Sequence, residues 1–192
     1  KLGDQKFFKD RVVQHRSFLV PVDIPANAKL DIFVRCQTSS SMRIPLTLWE
    51  PTEFFEDDSK EILIQGLYFG LVLVMALYNL FVFFSIKRRV YFYYVIFVTS
   101  WALFQGSING LTYQFLWPEF AWWSEKSIPF TLALCLGTLC KFTHLFLDLK
   151  NAKPWFGQVI QKLSLVYFGA AVLAFFAPYS MMIRILAASA LV

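Results

Sequence analysis

From Ile62 to Ile86 the chain runs for 25 residues without a charged side chain. Wound as an α-helix, that run is about 37 Å long, more than the ~30 Å of a bilayer's hydrocarbon core. A backbone in lipid must satisfy its own N–H and C=O groups, so the run reads as a spanning helix. Lys87, Arg88 and Arg89 stop it, and a second uncharged run follows at about 90–108. Further apolar runs lie at about 128–147 and 156–177, and a shorter one at 181–192. The last reaches only about 18 Å, too little to cross a bilayer, and is expected to be truncated. Residues 62–192 therefore read as a transmembrane domain of at least four complete helices. Only 16% of all residues are charged, against ~25% in a typical soluble domain, so a soluble protein is excluded.

The charges are unevenly placed. Residues 1–60 hold nine Lys/Arg and nine Asp/Glu, and residues 61–192 hold nine and four, so the whole net charge of +5 sits in the apolar part. That argues for basic residues on one side of a membrane and against a nucleic-acid partner. Lys87, Arg88, Arg89, Lys150 and Lys153 fall in the loops after the first and third helices, whereas the loop after the second holds only Lys126. The positive-inside rule puts the loops near Arg88 and Lys150 in the cytoplasm and the N-terminal segment outside, as in a multi-pass protein of a bacterial inner membrane. Tyr91, Tyr93, Tyr94 and Trp155 would then lie at the inner interface, and Trp117, Trp122 and Trp123 at the outer one.

Residues 1–50 carry a different pattern. Phe18, Val20 and Val22 alternate with other residues, as do Leu30, Ile32, Val34 and Cys36, and Ile44, Leu46 and Leu48. A period of two marks half-buried strands, with turns at Pro25-Ala26-Asn27 and Ser39-Ser40-Ser41. Three or four strands make only part of a β-sandwich, and the remaining strands are expected upstream of Lys1. No apolar stretch follows the opening lysines, so no signal peptide is visible. The acidic segment 51–61 reads as a linker. The expected fold is a mainly α-helical transmembrane bundle preceded by a partial extracytoplasmic β-sandwich.

Several residues are candidates for packing or switching. Gly66 and Gly70 have G-x-x-x-G spacing, and Gly106 and Gly110 repeat it. Such pairs let helix backbones approach closely, either within the bundle or in a homodimer. Asn79 lies past the middle of the first helix, where a buried amide needs a partner on another helix. Gln105 and Asn109 sit near an end, within reach of water. Lys141, His144 and Asp148 fall on one face of the third helix. That face either couples the bundle to a cytoplasmic module or is a snorkelling interfacial stripe. Arg184 is read as snorkelling to headgroups, with an anionic ligand as the sharper alternative. Arg35, Phe33, Thr47 and Trp49 combine aromatic and polar character suited to a sugar, although Trp49 reads as packing. Cys36, Cys135 and Cys140 make neither a disulfide framework nor a metal site. No P-loop, G-x-S-x-G or H-E-x-x-H occurs, so no catalytic residue, metal or cofactor is assigned.

The run Gly66-Leu-Tyr68-Phe-Gly70, then Tyr78-Asn79, Lys87-Arg88-Arg89, Tyr91-Phe-Tyr93-Tyr94 and Gly110-Leu-Thr-Tyr113-Gln114-Phe-Leu-Trp117-Pro118, resembles the bacterial seven-transmembrane receptors with diverse intracellular signalling modules. The preceding DIFVRCQTSSSMRIPLTLWEP resembles the end of that family's jelly-roll extracytoplasmic domain. The resemblance covers about residues 11–192. It implies two more helices and a cytoplasmic output such as a diguanylate cyclase, histidine kinase or phosphatase. It also implies a carbohydrate or other small extracytoplasmic ligand, with the bilayer as the chain's surroundings. The expected function is a receptor in which a ligand biases the bundle between two states. The alternatives are a transporter, an anchor or assembly subunit and, last, a membrane enzyme.

Overall fold

A computed structural model describes residues 3, 8–25, 29–35 and 45–190. Among the described residues, a 3-10 turn at Phe8–Asp10 is followed by seven helices: α1 (Pro51–Ile86), α2 (Arg89–Ile108), α3 (Leu111–Phe115), α4 (Ala121–Phe146), α5 (Leu149–Ala152), α6 (Pro154–Leu173) and α7 (Tyr179–Ala190). Helices α1, α4 and α6 are long and apolar enough to cross a membrane by length and composition. Helix α2 spans 20 residues, about 30 Å. Its tyrosines and hydroxyl residues dilute its apolar character, so among the described residues three spans rather than four meet both criteria.

The acidic segment 51–61 is helical and continuous with the first span. Pro51 occupies the first turn of α1, where its missing N–H costs nothing and its fixed φ suits the helix. Lys87 ends the helix in a left-handed conformation, with φ 55°, and its N–H bonds the Phe83 carbonyl at 2.7 Å. Helix α4 starts at Ala121, seven residues before the expected 128. The charges of Glu125 and Lys126 had suggested a loop, but both ride on its first turns.

Helix α4 is the central element, packed against α2 on one side and α6 on the other, with α7 also against it and α1 against α2. Small residues permit this. Ser127, Thr131, Ala133, Cys135, Gly137 and Thr138 are all buried. The Thr131 hydroxyl donates to the Ser127 carbonyl at 2.7 Å and that of Thr138 to the Leu134 carbonyl at 2.7 Å, so the polar atoms are satisfied within the helix. At the α4–α6 contact, Ser164 Oγ donates to the Gly137 carbonyl at 3.0 Å. Ala133, Tyr167, Ala171, Ala174, Met182 and Leu186 form the buried core between α4, α6 and α7. Helix α1 buries no residue fully.

No strand occurs among the described residues of the segment 8–50. Phe18, Val20, Leu30, Ile32 and Val34 are exposed, and Phe33 is 95% exposed. A strand gains its backbone bonds only from a partner. Within the described residues these runs have none, and the alternation therefore closes no sandwich face here. Cys36, the Ser39–Ser41 turn, Ile44 and Ala26-Asn27 lie outside the described residues.

Candidate functional site

The polar centre of the molecule lies at the end of the bundle formed by the start of α1 and the α2–α3 turn. On α1, Phe54, Asp58, Glu61 and Gln65 recur every three or four residues and so share one helix face. Arg16, from the segment before α1, lies across it. Its Nη2 is 2.6 Å from Asp58 Oδ1 and 3.0 Å from Glu61 Oε2, and its Nη1 donates to Gln65 Oε1 at 2.9 Å. Gln65 Nε2 donates in turn to Glu61 Oε1 at 2.9 Å. The Arg16 side chain is 6% exposed and that of Asp58 12%. A charge so sheltered needs such a set of acceptors.

The neighbouring residues hold Arg16 in place. His15 packs edge-on against Phe54 with ring centroids 5.3 Å apart. Its Nδ1 accepts from the Ser17 amide at 3.0 Å. Nε2 lies 3.1 Å from Asp58 Oδ1, without the angle of a hydrogen bond. Arg11 donates to the His15 carbonyl at 2.6 Å and the Arg16 carbonyl at 3.0 Å. Its guanidinium covers the rings of Phe8, Phe18 and Tyr113 at 4.8, 4.5 and 5.6 Å. The Phe8 amide donates to the Pro118 carbonyl at 3.3 Å. Lys9 pairs with Glu119 at 2.5 Å on the surface. That hydrogen bond, then its charge attraction, raises the Lys9 ammonium pKa above its ordinary value and lowers the Glu119 carboxyl below its own. Residues 8–18 are thus clasped to α1, α3 and the loop after α3.

Two of the sequence-nominated glycines belong to this clasp. Gly110 has φ +73°, and a Cβ there would lie 3.3 Å from the Arg16 carbonyl oxygen. It provides both the left-handed turn and the seat for Arg16. A Cβ on Gly106 would lie 2.9 Å from Thr112 Cγ2 and 3.6 Å from the Phe69 ring, so this glycine lets α1 and α3 close on α2. Gly66 and Gly70 face open space, and a Cβ on either would meet nothing within 4 Å. The two G-x-x-x-G pairs therefore do not meet.

The other candidates stand elsewhere. Asn79 Nδ2 donates to the Met75 carbonyl of its own helix at 2.8 Å, so the interhelical bond expected of it is replaced by a local one. Lys141, His144 and Asp148 share the opposite end of the bundle but do not bond one another. Asp148 adopts φ 44° and accepts from Asn151 Nδ2 at 2.8 Å. The Nδ1 of His144 is buried without a partner, and its Cε1 lies against Gly157. Arg184 is exposed on α7, and Arg35 and Thr47 are exposed in the N-terminal segment. Trp49 packs edge-on against Phe54 at 6.2 Å. Cys135 and Cys140 are free thiols, and no group of His, Cys, Asp or Glu among the described residues could hold a metal. Sequence reading missed Arg16, Asp58, Glu61 and Gln65. The face 58–61–65 was legible once the acidic segment was taken as helix; its partner was not.

Apolar spanning helices with a polar segment clasped to one end define a membrane domain joined to a domain outside the bilayer. Residues 61–192 match the family model described as 7TM diverse intracellular signalling, and residues 1–50 match that described as 7TMR-DISM extracellular 2. No curated protein and no solved structure matches the chain. The chain belongs to the 7TMR-DISM family of membrane receptors, with residues 61–192 in its transmembrane domain and residues 1–50 in its second extracellular domain.

Proposed function

We propose that the protein is a transmembrane sensor of a bacterial inner membrane and that the Arg16 clasp is the joint through which an extracytoplasmic signal reaches the helices. The reading takes α2 as a further span, because its 20 residues are long enough and it packs between α1 and α4. It puts residues 1–50 outside, within a β-sandwich that takes a carbohydrate or another small ligand. The period of two in that segment and its family match support this. The Arg88 and Lys150 loops face the cytoplasm, where an output module is driven.

One observation carries the reading. A sheltered arginine of the outer segment is bonded to three side chains on one face of α1. A ligand can drive a change only if it binds two states unequally. A joint of a few charge-assisted bonds is strong enough to hold one state and local enough to be exchanged for another. A shift of residues 8–18 pulls directly on Asp58 and Glu61, and α1 carries it along its length to Lys87. The test is the activity of the output module in the full-length receptor carrying Arg16→Ala. The expected result is an output set at a new basal level with a blunted response. Output and response both equal to wild type would remove the clasp from the signalling path.

A further inference from the structure

At the end of the bundle opposite the clasp, α1, α2, α4, α5 and α6 meet in one surface. The turn at Lys87 and Arg88 joins α1 to α2, and the Phe83 and Phe92 rings face each other across it at 5.3 Å. Tyr94 on α2 meets Phe142 on α4 at 5.6 Å, and Phe142 stacks on Phe146 at 5.3 Å. His144 and the Leu149 carbonyl lie against Gly157 at the start of α6. The charge of this surface is one-sided. Lys87, Arg88, Arg89, Lys150 and Lys153 are exposed there, with half-buried Lys141 beside them. Of the acids in residues 51–190, only Asp148 lies at this end, and its carboxylate accepts from Asn151 Nδ2 at 2.8 Å. The acids from Glu53 to Glu61 lie at the far end of α1, Glu119 pairs with Lys9, and Glu125 rides on the first turns of α4. Arg11 and Arg16 belong to the clasp and do not enter the balance here. Six cations face one carboxylate, and among the described residues none of the six is in an ion pair.

Exposed apolar side chains stand between these cations. Phe84 and Ile86 precede Lys87, Phe92 follows Arg89, Phe146 and Leu147 precede α5, and Trp155 follows Lys153. Phe146 is 66% exposed and Trp155 71%. A mixture of bare rings and long cations suits the boundary of a bilayer, where aromatic rings sit at headgroup level and Lys or Arg reaches outward to the phosphates. The sign of the charge then selects the lipid. A zwitterionic headgroup brings its own ammonium to each phosphate, whereas a net-anionic headgroup leaves the phosphate free to neutralise the protein. Arg88 and Lys153 also hold the cap positions before α2 and α6. A helix dipole disfavours a cation there, and a nearby anion relieves the conflict.

We propose that this basic end is a docking surface for net-anionic phospholipid. The headgroup phosphates are held by the cations of the 87–89 turn and the 150–153 segment, and the acyl chains lie along Phe84, Phe146 and Trp155. The site holds on whichever side of the membrane this end faces. It stands independently of the sensor reading, because its test reads lipid retention and not output.

The full-length protein is released for native mass spectrometry from micelles holding equal amounts of phosphatidylglycerol and phosphatidylcholine with the same acyl chains. The expected result is retention of phosphatidylglycerol with a preference of about tenfold or more. Arg88→Gln with Arg89→Gln, or Lys150→Gln with Lys153→Gln, is expected to lower that preference roughly fivefold or more. Lys150→Arg with Lys153→Arg keeps the charge and should keep the preference. Lys60→Gln with Arg184→Gln removes the same charge from exposed positions elsewhere and should leave the preference unchanged. The 150–153 pair decides the matter if the 88–89 pair fails to insert. Equal retention of the two lipids, or a loss as large in the Lys60 and Arg184 pair, overturns the site. Displacement of the retained lipid by free glycerol phosphate overturns the lipid in favour of a soluble anion. Hydrogen exchange of the 87–91 amides in nanodiscs separates lipid from protein. Protection should rise when phosphatidylglycerol is added to phosphatidylcholine. Protection already complete in phosphatidylcholine alone would mean that a segment of the receptor covers this surface, and would overturn the proposal.

Discussion

Arg16 and Asp58 stand 42 residues apart in the chain and 2.6 Å apart in space. Between them lie all the described residues of the segment 18–50, and beyond Asp58 lies an unbroken helix to Ile86. This pair ties the segment before α1 to the helix face that also carries Glu61 and Gln65. Its geometry, sheltered on the arginine side and backed by Glu61 and Gln65, makes it a joint and not a passing surface contact.

Removing the arginine takes from Asp58 and Glu61 the cation they share, while Asp58 stays sheltered. Truncating one partner of a fully buried pair costs ~3–5 kcal/mol, and the exposure of Glu61 reduces that. Arg16→Ala is therefore expected to destabilise docking of residues 8–18 by about 2–3 kcal/mol. Hydrogen exchange of the His15–Phe18 amides in nanodiscs checks this, and unchanged protection would count against it. Asp58→Asn, which keeps a hydrogen-bond acceptor, is expected to cost less.

The Lys9–Glu119 contact has a defined pH window. The Glu119 carboxyl is lowered from an ordinary 4.5 by the Lys9 hydrogen bond. Its contribution is present above that ordinary value and lost as pH falls through the lowered one. The Lys9 ammonium is raised from an ordinary 10.5 by the same bond, so its contribution is present below that value and lost as pH rises through the raised one. Protection of the Phe8 amide, which bonds the Pro118 carbonyl, should be flat from about pH 5 to about pH 10 once intrinsic exchange is corrected for. It should fall at either extreme, and Lys9→Met should flatten both limbs. Because both side chains are exposed, added salt should weaken the effect.

Glycines on different helices should respond in opposite ways. A Cβ on Gly70 meets open space, whereas one on Gly137 would lie 3.3 Å from the Phe168 ring. Gly70→Ala is expected to be neutral, or stabilising by about 0.5–1 kcal/mol through helix propensity. Gly137→Leu overpacks the α4–α6 contact and should cost at least ~1–3 kcal/mol. Thermal unfolding in detergent compares the two, and equal effects would contradict the packing described.

The proposed orientation makes its own prediction. Alkaline phosphatase fused near Trp117 should be active and fused at Arg88 silent, because the enzyme matures only outside the cytoplasm. The reverse pattern would invert the topology.

The spans of α1, α4 and α6 were legible because a charge-free run of sufficient length has few other folds open to it. Their ends were less so. Glu125 and Lys126 looked like loop, but Lys126 snorkels from the first turns of α4, over the Trp122 ring at 5.4 Å, and bonds the Phe175 carbonyl. The glycine motifs were visible as spacing, which says that a backbone is bare and not which neighbour it faces. Gly106 and Gly110 do meet neighbours and Gly66 and Gly70 do not, a difference set by tertiary placement. The clasp was the hardest to see. Its carboxylates sit in a stretch whose composition suits a solvated linker, and no local pattern names a partner 42 residues away.

The most direct measurement is a charge exchange across the joint. Arg16→Asp and Asp58→Arg are introduced singly and together in the full-length receptor, and output activity is read with expression and membrane insertion held equal. If the pair couples the outer segment to α1, each single variant shifts basal output and the double variant returns it toward wild type. If the two shifts simply add, or if neither variant moves the output, the clasp is a structural contact and the signal takes another route.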